Sequence, residues 1–378
     1  MDKAMERSKV YFTDFHVNVG TSQLDKLRRL MEGAGMGELD FSKKLVCIKM
    51  HFGEPGNLTF LRPNYAKVVA DFVKERGGVP FLCDCNTLYA GRRKNALEHL
   101  DAAYENGFFP LSTGCQILIG DGLRGNDDVE VPVAGGEYVK LAKIGRAVMD
   151  ADVFISLNHF KGHEQTGFGG AIKNIGMGCG SRRGKMEQHN AGKPKVVARR
   201  CVGCRGCAKH CGQDAISYGG DGKAVIDQDK CVGCGRCIGA CNFDAILNRN
   251  YDSVQMLNRK MAEYAKAVVD GRPCFHISLV RDISPNCDCH GENDVPILPD
   301  VGMFASFDPV ALDQACADAC LRQTPLPGGQ LARRMAGEGF VDRHDHFENT
   351  TDGTEWKSCL EHAEKIGVGS RTYELITM

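Results

Sequence analysis

The sequence has neither a surplus of one charge nor a long apolar run. Its 378 residues include 47 Lys and Arg against 48 Asp and Glu, a formal net charge of −1, so neither a nucleic-acid partner nor a membrane surface is indicated. No stretch reaches the roughly 20 apolar residues of a membrane-spanning helix. The stretch from Met1 to Arg7 is charged, whereas an export signal has an apolar core. We therefore expect a cytoplasmic protein without membrane insertion.

The sequence also lacks the short patterns of nucleotide-binding folds. It has no P-loop and no dinucleotide fingerprint, so no flavin or nicotinamide cofactor is indicated. Its 19 cysteines would suggest disulfides in an exported protein. Without an export signal they favour a reducing compartment instead. The length allows two or three domains of ordinary size.

Many of the cysteines fall into two matching runs, at residues 201–211 and 231–241, each with the spacing C-x2-C-x2-C-x3-C. This spacing is that of bacterial ferredoxins with two [4Fe–4S] clusters, in which the fourth cysteine of each run ligates the other cluster. Structural zinc sites instead favour two separated pairs. The predicted ligands are Cys201, Cys204, Cys207 and Cys241 for one cluster, and Cys231, Cys234, Cys237 and Cys211 for the second.

The repeat extends beyond the cysteines, since Asp214-Ala215-Ile216 after the first run matches Asp244-Ala245-Ile246 after the second. Strand-like segments at 216–218 and 224–226 flank a Gly-rich turn. We therefore predict an α+β, ferredoxin-like module with internal duplication over residues 197–250. Its eight basic and five acidic side chains either neutralise the clusters or form a docking face for a protein electron donor or acceptor.

Strand-like and helix-like segments alternate on both sides of this module. The predicted strands are 10–15, 45–50, 79–83, 153–157 and 275–280, and the predicted helices are 24–36, 64–75, 95–104, 254–269 and 310–321. The alternation favours a layered α/β domain with a largely parallel sheet. We therefore predict a discontinuous α/β domain of residues 1–196 and 251–378, interrupted by the ferredoxin-type domain 197–250.

A polar, glycine-rich segment, residues 158–174, follows the predicted strand 153–157. It therefore lies beyond the carboxyl edge of the sheet, where open α/β sheets bind ligands. Within it, Lys161 and His163 are candidates for binding a carboxylate or phosphate, or for transferring a proton. The basic stretch 181–189 either completes such a pocket, lies against a cluster or is a solvated loop.

The same segment has the features of an anion cradle. Its glycines would let the backbone approach an anion, and a helix beginning near Gly170 would point N–H groups at it. The alternative is a structural turn with solvated side chains. The residues predicted to contact a small anionic ligand are Gly167, Gly169, Gly170, Lys173 and Asn174.

Two Cys-Asp-Cys stretches, 83–85 and 287–289, each follow a strand, and His290 adjoins the second. If they converge, Cys83, Cys85, Cys287, Cys289 and His290 could bind a further metal; otherwise these cysteines are buried and inert. Asp308 precedes Pro309 at a helix start, which predicts an N-cap. A role as a site acid stays open for Asp300 and Asp308, so Asp308 joins Lys161 and His163 as a catalytic candidate.

Together, these motifs resemble the domain-of-unknown-function family numbered 362. The resemblance rests on the Lys-x-His within 158–174, on the stretch from the second Cys-Asp-Cys into Pro299-Asp300-x-Gly302, and on Asp308-Pro309-Val310-Ala311-x-Asp313. Many members of that family carry an inserted pair of 4Fe–4S motifs at this place. The resemblance implies an iron–sulfur protein whose main domain has no settled activity.

Three functions fit these features. In the first, an oxidoreductase, the clusters pass electrons to a substrate or cofactor held by the α/β domain. The second is a non-catalytic electron carrier or maturation partner, and the third is a non-redox enzyme with structural clusters.

Overall fold

The computed structural model describes residues 7–88, 91–189, 193–209, 211, 213–231, 237, 240–241, 243, 245–247 and 254–378. The strands are β1 (Ser8–Thr13), β2 (Leu45–Lys49), β3 (Val79–Asp84), β4 (Gln116–Ile119), β5 (Asp128–Pro132), β6 (Leu141–Gly145), β7 (Val153–His159), β8 (Lys161–His163), β9 (Gly167–Gly169), β10 (Lys195–Val196), β11 (Ile216–Tyr218), β12 (Ala224–Ile226), β13 (Ile246–Leu247), β14 (Cys274–Val280), β15 (Gly302–Ser306) and β16 (Tyr373–Thr377).

Helices connect most of these strands. The helices are α1 (Gln23–Gly33), α2 (Pro63–Lys74), α3 (Ala96–Glu105), α4 (Pro110–Thr113), α5 (Arg146–Met149), α6 (Ala171–Cys179), α7 (Arg182–His189), α8 (Gly206–Lys209), α9 (Val254–Val269), α10 (Pro309–Leu321), α11 (Gln330–Met335), α12 (His346–Thr350) and α13 (Lys357–Lys365), with 3-10 turns at Met36–Glu38 and Ala198–Arg200.

The described strands form a central eight-stranded sheet in the order β16-β1-β15-β14-β7-β2-β3-β4. Neighbours from β14 to β4 pair in parallel, as do β16 and β1. Strand β15 is antiparallel to both of its neighbours. The prediction of an α/β fold around a largely parallel sheet is therefore confirmed, with one strand running against the rest.

Helices cover both faces of the sheet, so its central strands are buried on both sides. Because successive side chains of a strand point to opposite faces, Phe154 of β7 packs into one apolar core and Ile155 into the other. The first core contains Ile175 of α6 and the second contains Val69 of α2. This double burial explains why β7 reads as a continuous apolar run rather than an alternating one.

Local signals set several element boundaries. Pro63 occupies the first turn of α2, where its missing N–H costs nothing. The side chain of Asp308 caps α10 by accepting from the N–H groups of Val310 and Ala311. Both features were predicted from the sequence. Within the described residues, no helix combines the length and the apolar character that a bilayer crossing requires.

The cysteine-rich segment contains short strands and a small apolar cluster. Strands β11 and β12 form the predicted hairpin, with Ser217 opposite Val225. Strand β10 pairs with β13 through Val196 and Ile246, so the two ends of the segment lie side by side. The chain leaves the main sheet after β7 and returns as its neighbour β14. Cys234 lies outside the described residues, and the division into host and inserted domain stays a prediction.

Candidate functional site

A polar pocket lies where the parallel strands β2, β3 and β7 end. The carboxyl ends of parallel strands meet at one edge of a sheet, where α/β folds bind ligands. Lys49 ends β2, Asp84 ends β3 and His159 ends β7, and all three line the pocket. Helices α6 and α7 close it from one side. The cationic side chains that line it are Lys49, Arg93, Lys161, Lys173 and Lys185.

The Lys49 and Asp84 side chains form a buried ion pair at the pocket floor. Lys49 Nζ lies 3.0 Å from Asp84 Oδ1 and donates to Asn174 Oδ1 at 2.8 Å. Burial alone would raise the pKa of the Asp84 carboxyl, but Lys49 and His99 beside it hold that pKa well below its usual range. Both members of the pair therefore stay charged, since either one alone would be too costly to bury.

A second charged group joins β7 to the loop that follows β14. Both ring nitrogens of His159 face acceptors: Nδ1 lies 2.9 Å from Asp288 Oδ2 and Nε2 lies 2.8 Å from the carbonyl oxygen of Arg281. These contacts fix the orientation of the ring against the loop. Lys161 Nζ lies 3.5 Å from the same carboxylate of Asp288.

The pocket has more positive charge than its own carboxylates balance. Arg93 pairs with Glu54 at 2.8 Å, as Lys49 pairs with Asp84. Among the described residues, no carboxylate lies within 4.0 Å of Lys173 or Lys185. Lys173 Nζ lies 3.3 Å from Cys287 Sγ, and Lys185 Nζ donates to the carbonyl oxygen of Gly180 at 2.5 Å. A pocket with this surplus suits an anionic ligand.

The residues predicted as an anion cradle are divided between this pocket and the core. Lys161, Gly170, Lys173 and Asn174 line the pocket. Gly167 has a φ of 74° and lies against the Trp356 ring.

An anion cradle requires free N–H groups at the start of α6, but two of these groups are already bonded within the chain. The Asp313 carboxylate accepts from the N–H groups of Ala171 at 2.6 Å and Ile172 at 2.9 Å. A Cβ on Gly170 would come within 2.2 Å of Asp313 Oδ1. The glycine thus admits a carboxylate of the same chain, which occupies these two N–H groups. An anionic ligand at the other predicted residues stays a prediction.

His163 and Asp300 do not line the cationic pocket. His163 Nδ1 accepts from the backbone N–H groups of Gln165 and Thr166, each at 3.1 Å. Asp300 is exposed and accepts from the N–H of Asp282 at 2.7 Å.

Asp308 has structural contacts, and its catalytic role stays a prediction. Besides capping α10, its carboxylate accepts from the Ser8 hydroxyl at 2.6 Å and from the Ser370 N–H at 2.8 Å. Asp308 follows β15, which runs against the other strands, so it lies at the opposite edge of the sheet from the pocket.

The two Cys-Asp-Cys stretches do reach a common region. Cys85 and Cys289 both line the cationic pocket. The donor atoms of Cys289 and His290 lie within 4.8 Å of each other and of a Glu164 carboxylate oxygen, and Cys83 is outside that group. Glu164 was not predicted from the sequence.

Cysteines from both runs meet in the cysteine-rich segment. Cys201, Cys204, Cys207 and Cys241 line one cavity. The N–H groups of Ala215 and Ala245 each point at a cysteine sulfur, at 3.4 Å from Cys211 Sγ and 3.3 Å from Cys241 Sγ. The two alanines occupy equivalent positions of the sequence repeat.

Helix α7 joins the pocket to the cysteine-rich segment. Lys185 lines the pocket, whereas its neighbour Met186 packs with Cys207, Cys237 and Cys241. The stretch 181–189 thus meets both the pocket and the cysteines, two of the three alternatives left open from the sequence.

Sequence reasoning did not single out Lys49, Arg93, His159 or Asp288. Lys49 carried a usable signal, because a charged residue ending an otherwise apolar strand has to find a partner when it is buried. In each Cys-Asp-Cys stretch, the cysteines were considered as metal ligands and the Asp was given no role. Arg93 lies in an irregular segment without any periodic pattern, and nothing local marks it.

The comparisons with known proteins concern the family and the fold. The model of the family described as "Domain of unknown function (DUF362)" matches residues 46–318. A thylakoid-associated protein of Synechocystis is 30% identical over 183 residues, which cover 46% of this chain and 51% of that protein. The chain thus spans about half the length of this relative.

Two solved structures are similar at 12% identity. The lactate racemase apoprotein from Thermoanaerobacterium thermosaccharolyticum has a TM-score of 0.33, with 75% of this chain and 53% of that chain covered. A Thermotoga maritima protein has a TM-score of 0.35, with 79% and 57% covered. Likeness at this level carries no argument about function. The match to the family model does extend over most of the sequence, and the chain belongs to the DUF362 family.

Proposed function

We propose that the protein binds two [4Fe–4S] clusters in its cysteine-rich segment and passes electrons from them to an anionic substrate or cofactor in the cationic pocket. The observation that carries this proposal is the cavity shared by Cys201, Cys204, Cys207 and Cys241, which combines three cysteines of one run with the fourth of the other. That is the ligand set of one cluster in a two-cluster ferredoxin. Such clusters accept and release single electrons.

The surroundings of the cysteines also suit such clusters. Hydrogen bonds to the sulfurs tune the reduction potential of an iron–sulfur cluster. The N–H groups of Ala215 and Ala245 supply such bonds to the fourth cysteine of each run, and the Ala224 N–H lies 3.4 Å from Cys201 Sγ. The second set includes Cys234, so its support is the sequence spacing and the equivalent Ala215 contact.

The proposed acceptor site is the cationic pocket. Lys161, Lys173 and Lys185 all line it, and no described carboxylate lies within 4.0 Å of Lys173 or Lys185. One helix, α7, lies between this pocket and the cysteines, and a helix with its side chains is about 10 Å across. Such a separation favours direct electron transfer over the use of an additional carrier.

The proposal includes the division into a discontinuous α/β domain and an inserted ferredoxin-type domain 197–250. Its support is that β10 and β13, at the two ends of the segment, pair with each other. The segment also has its own small apolar cluster, which includes Ala224, Ile226 and Ile246.

The iron content tests the clusters directly. Protein purified without oxygen should contain about eight irons and, once reduced, give interacting S = 1/2 signals in electron paramagnetic resonance. Cys207→Ala should lose about four of these irons. Cys320→Ala, which removes a buried cysteine of α10 outside both runs, should keep them all. Zinc in place of iron, or equal iron in both variants, would overturn the assignment.

The pocket is tested with inorganic pyrophosphate and malonate as probe anions. A bound anion stabilises the folded state, by about 2.7 kcal/mol at 100 times its Kd, so the thermal unfolding midpoint should rise. The double variant Lys161→Met/Lys173→Met should lose this rise and keep its iron. Lys67→Met, on the exposed face of α2, is the matched control. Equal rises in all three proteins would contradict an anion site here.

The second and third functions differ in measurable ways. A carrier would associate tightly with a partner protein and turn over no small molecule. A non-redox enzyme would keep its activity when the clusters are reduced. Turnover that requires reduced clusters and an intact Lys161 supports the oxidoreductase.

A further inference from the structure

A second group of metal-binding side chains lies beside the cationic pocket and outside both cysteine runs. It consists of Glu164, from the turn between β8 and β9, and of Cys289 and His290, from the loop after β14. One donor atom from each lies within 4.8 Å of the other two. Thiolate, imidazole and carboxylate together are ligands of borderline divalent metals such as zinc.

The spacing between two of these donors already suits a common ion. His290 Nε2 lies 3.2 Å from Glu164 Oε1. In a tetrahedral site with Zn–N and Zn–O bonds near 2.1 Å, two such donors lie about 3.4 Å apart. The third donor, Cys289 Sγ, lies within 4.8 Å of a donor atom of each of these two residues.

The second oxygen of Glu164 favours a bound cation at this place. Glu164 Oε2 is buried, and no described residue donates a hydrogen bond to it. A buried carboxylate oxygen without a partner carries a desolvation cost that a bound cation removes. The side chains of His290 and Glu164 are 34% and 33% exposed, which leaves an ion a path from solvent.

Neighbouring contacts orient the group. His163 Nδ1 accepts from two backbone N–H groups, so in the neutral ring the proton is on Nε2, which lies 3.6 Å from Glu164 Oε1. With its proton on Nε2, His163 has no free lone pair to offer an ion, and it is not a fourth ligand. The loop is held by the His290 N–H, which donates to the Cys287 carbonyl oxygen at 3.0 Å, and by Asn57.

We propose that Glu164, Cys289 and His290 bind one divalent metal ion of the zinc class, with an exchangeable fourth position towards the cationic pocket. Three protein ligands with one open position are the pattern of zinc sites that bind water or substrate. The direction of the open position follows from Cys289, which lines the pocket. This site is independent of the clusters, because it shares no residue with either cysteine run.

The test uses cluster-loaded full-length protein, titrated with Zn²⁺ against a chromophoric chelator without oxygen. One zinc per chain should bind, and X-ray absorption at the zinc edge should show a single sulfur ligand. Glu164→Gln and His290→Ala should each weaken zinc binding by more than the roughly 10–100-fold that loss of an outer partner costs. The matched control is Glu374→Gln, because Glu374 is exposed on β16 and contacts none of the three proposed ligands.

Iron measured in the same samples separates this site from the clusters. Unchanged iron in Glu164→Gln and His290→Ala, together with lost zinc, supports the proposal. Zinc surrounded by four sulfurs would place the ion in a cysteine run and overturn it. So would the absence of stoichiometric zinc, or equal zinc affinity in the wild type and both ligand variants.

Discussion

Charged side chains are buried at the edge of this sheet because each has a partner within reach. Lys49 and Asp84 satisfy each other, and Asp288 lies between His159 and Lys161. Burying such pairs is costly, so their retention indicates a role other than stability. We interpret that role as fixing the positions of the cations that face a ligand.

Asp121 lies close to this network, and one of its carboxylate oxygens has no hydrogen-bond donor among the described residues. Its Oδ1 accepts from the N–H and the side-chain amide of Asn86, at 2.9 and 2.8 Å, whereas no described residue donates to its buried Oδ2. Burial raises the pKa of the Asp121 carboxyl to about 6, against the opposing effect of Lys185. Oδ2 is the atom that would hold the proton.

Stability should therefore decrease as the pH rises through this pKa. A carboxyl whose pKa is raised on folding contributes stability below its unfolded pKa near 4, and that contribution disappears by about pH 6. Asp121→Asn cannot ionise and has no such loss. Urea denaturation at pH 4 and pH 8 gives the difference in free energy of unfolding between Asp121→Asn and the wild type. This difference should be roughly 1–3 kcal/mol more in favour of the variant at pH 8 than at pH 4. A pH-independent difference would contradict the raised pKa.

The residues that line the pocket could be predicted only where a local sequence pattern marked them. Lys161 and Lys173 were found because they lie in a glycine-rich segment after a strand. Glu164 lies in that same segment and was missed, because its partners Cys289 and His290 are more than a hundred residues away. Contacts of that range have no signal in one sequence.

At the scale of elements, helix starts are the best-predicted features of the chain. Pro63 and Asp308 have local reasons to begin helices, and both do. The direction of β15 had no such signal, because a buried strand reads the same in either direction. That strand places Asp308 at the opposite edge of the sheet from the cationic pocket, which the sequence did not indicate.

Replacing the Asp308 cap should therefore destabilise the fold without affecting the site. Asp308→Ala removes bonds to two helix N–H groups, to Ser8 and to Ser370, and loss of a helix cap costs about 0.5–2 kcal/mol. Asp101→Ala, at an exposed position of α3, should change stability by less than about 0.5 kcal/mol. Chemical denaturation measures both. If Asp308→Ala lost iron or anion binding, Asp308 would have a functional role beyond the helix cap.

At the scale of the whole molecule, the chain interrupts its sheet between two neighbouring strands. β7 and β14 pair directly although 114 residues separate Val153–His159 from Cys274–Val280. The sequence predicted this interruption because the α/β alternation stops at the cysteine runs and resumes after them. It offered the pocket and a cluster as alternatives for the stretch 181–189, whereas α7 contacts both the pocket and the cysteines.

Removing the segment should leave a folded host. Because the Val197 N–H donates to the Ala245 carbonyl oxygen at 2.7 Å, residues 198–244 can be replaced by a two-residue Asn-Gly turn. We expect a cooperative unfolding transition and far-ultraviolet circular dichroism typical of an α/β fold, with no iron. Stability should fall by roughly 1–3 kcal/mol, because Met186 loses its cover. A product without cooperative unfolding would show that the segment is part of the host.

The position of α7 has a thermodynamic consequence. In the proposed function, an electron added to a cluster on the far side of this helix would bring negative charge close to the pocket. It would weaken the attraction of Lys185 for a bound anion. Linkage is reciprocal, so an anion that favours the oxidised state must lower the midpoint potential of the clusters by the equivalent free energy. Reduction would then promote release of the anion. The affinity of the pocket for the anion would then depend on how many electrons the clusters hold.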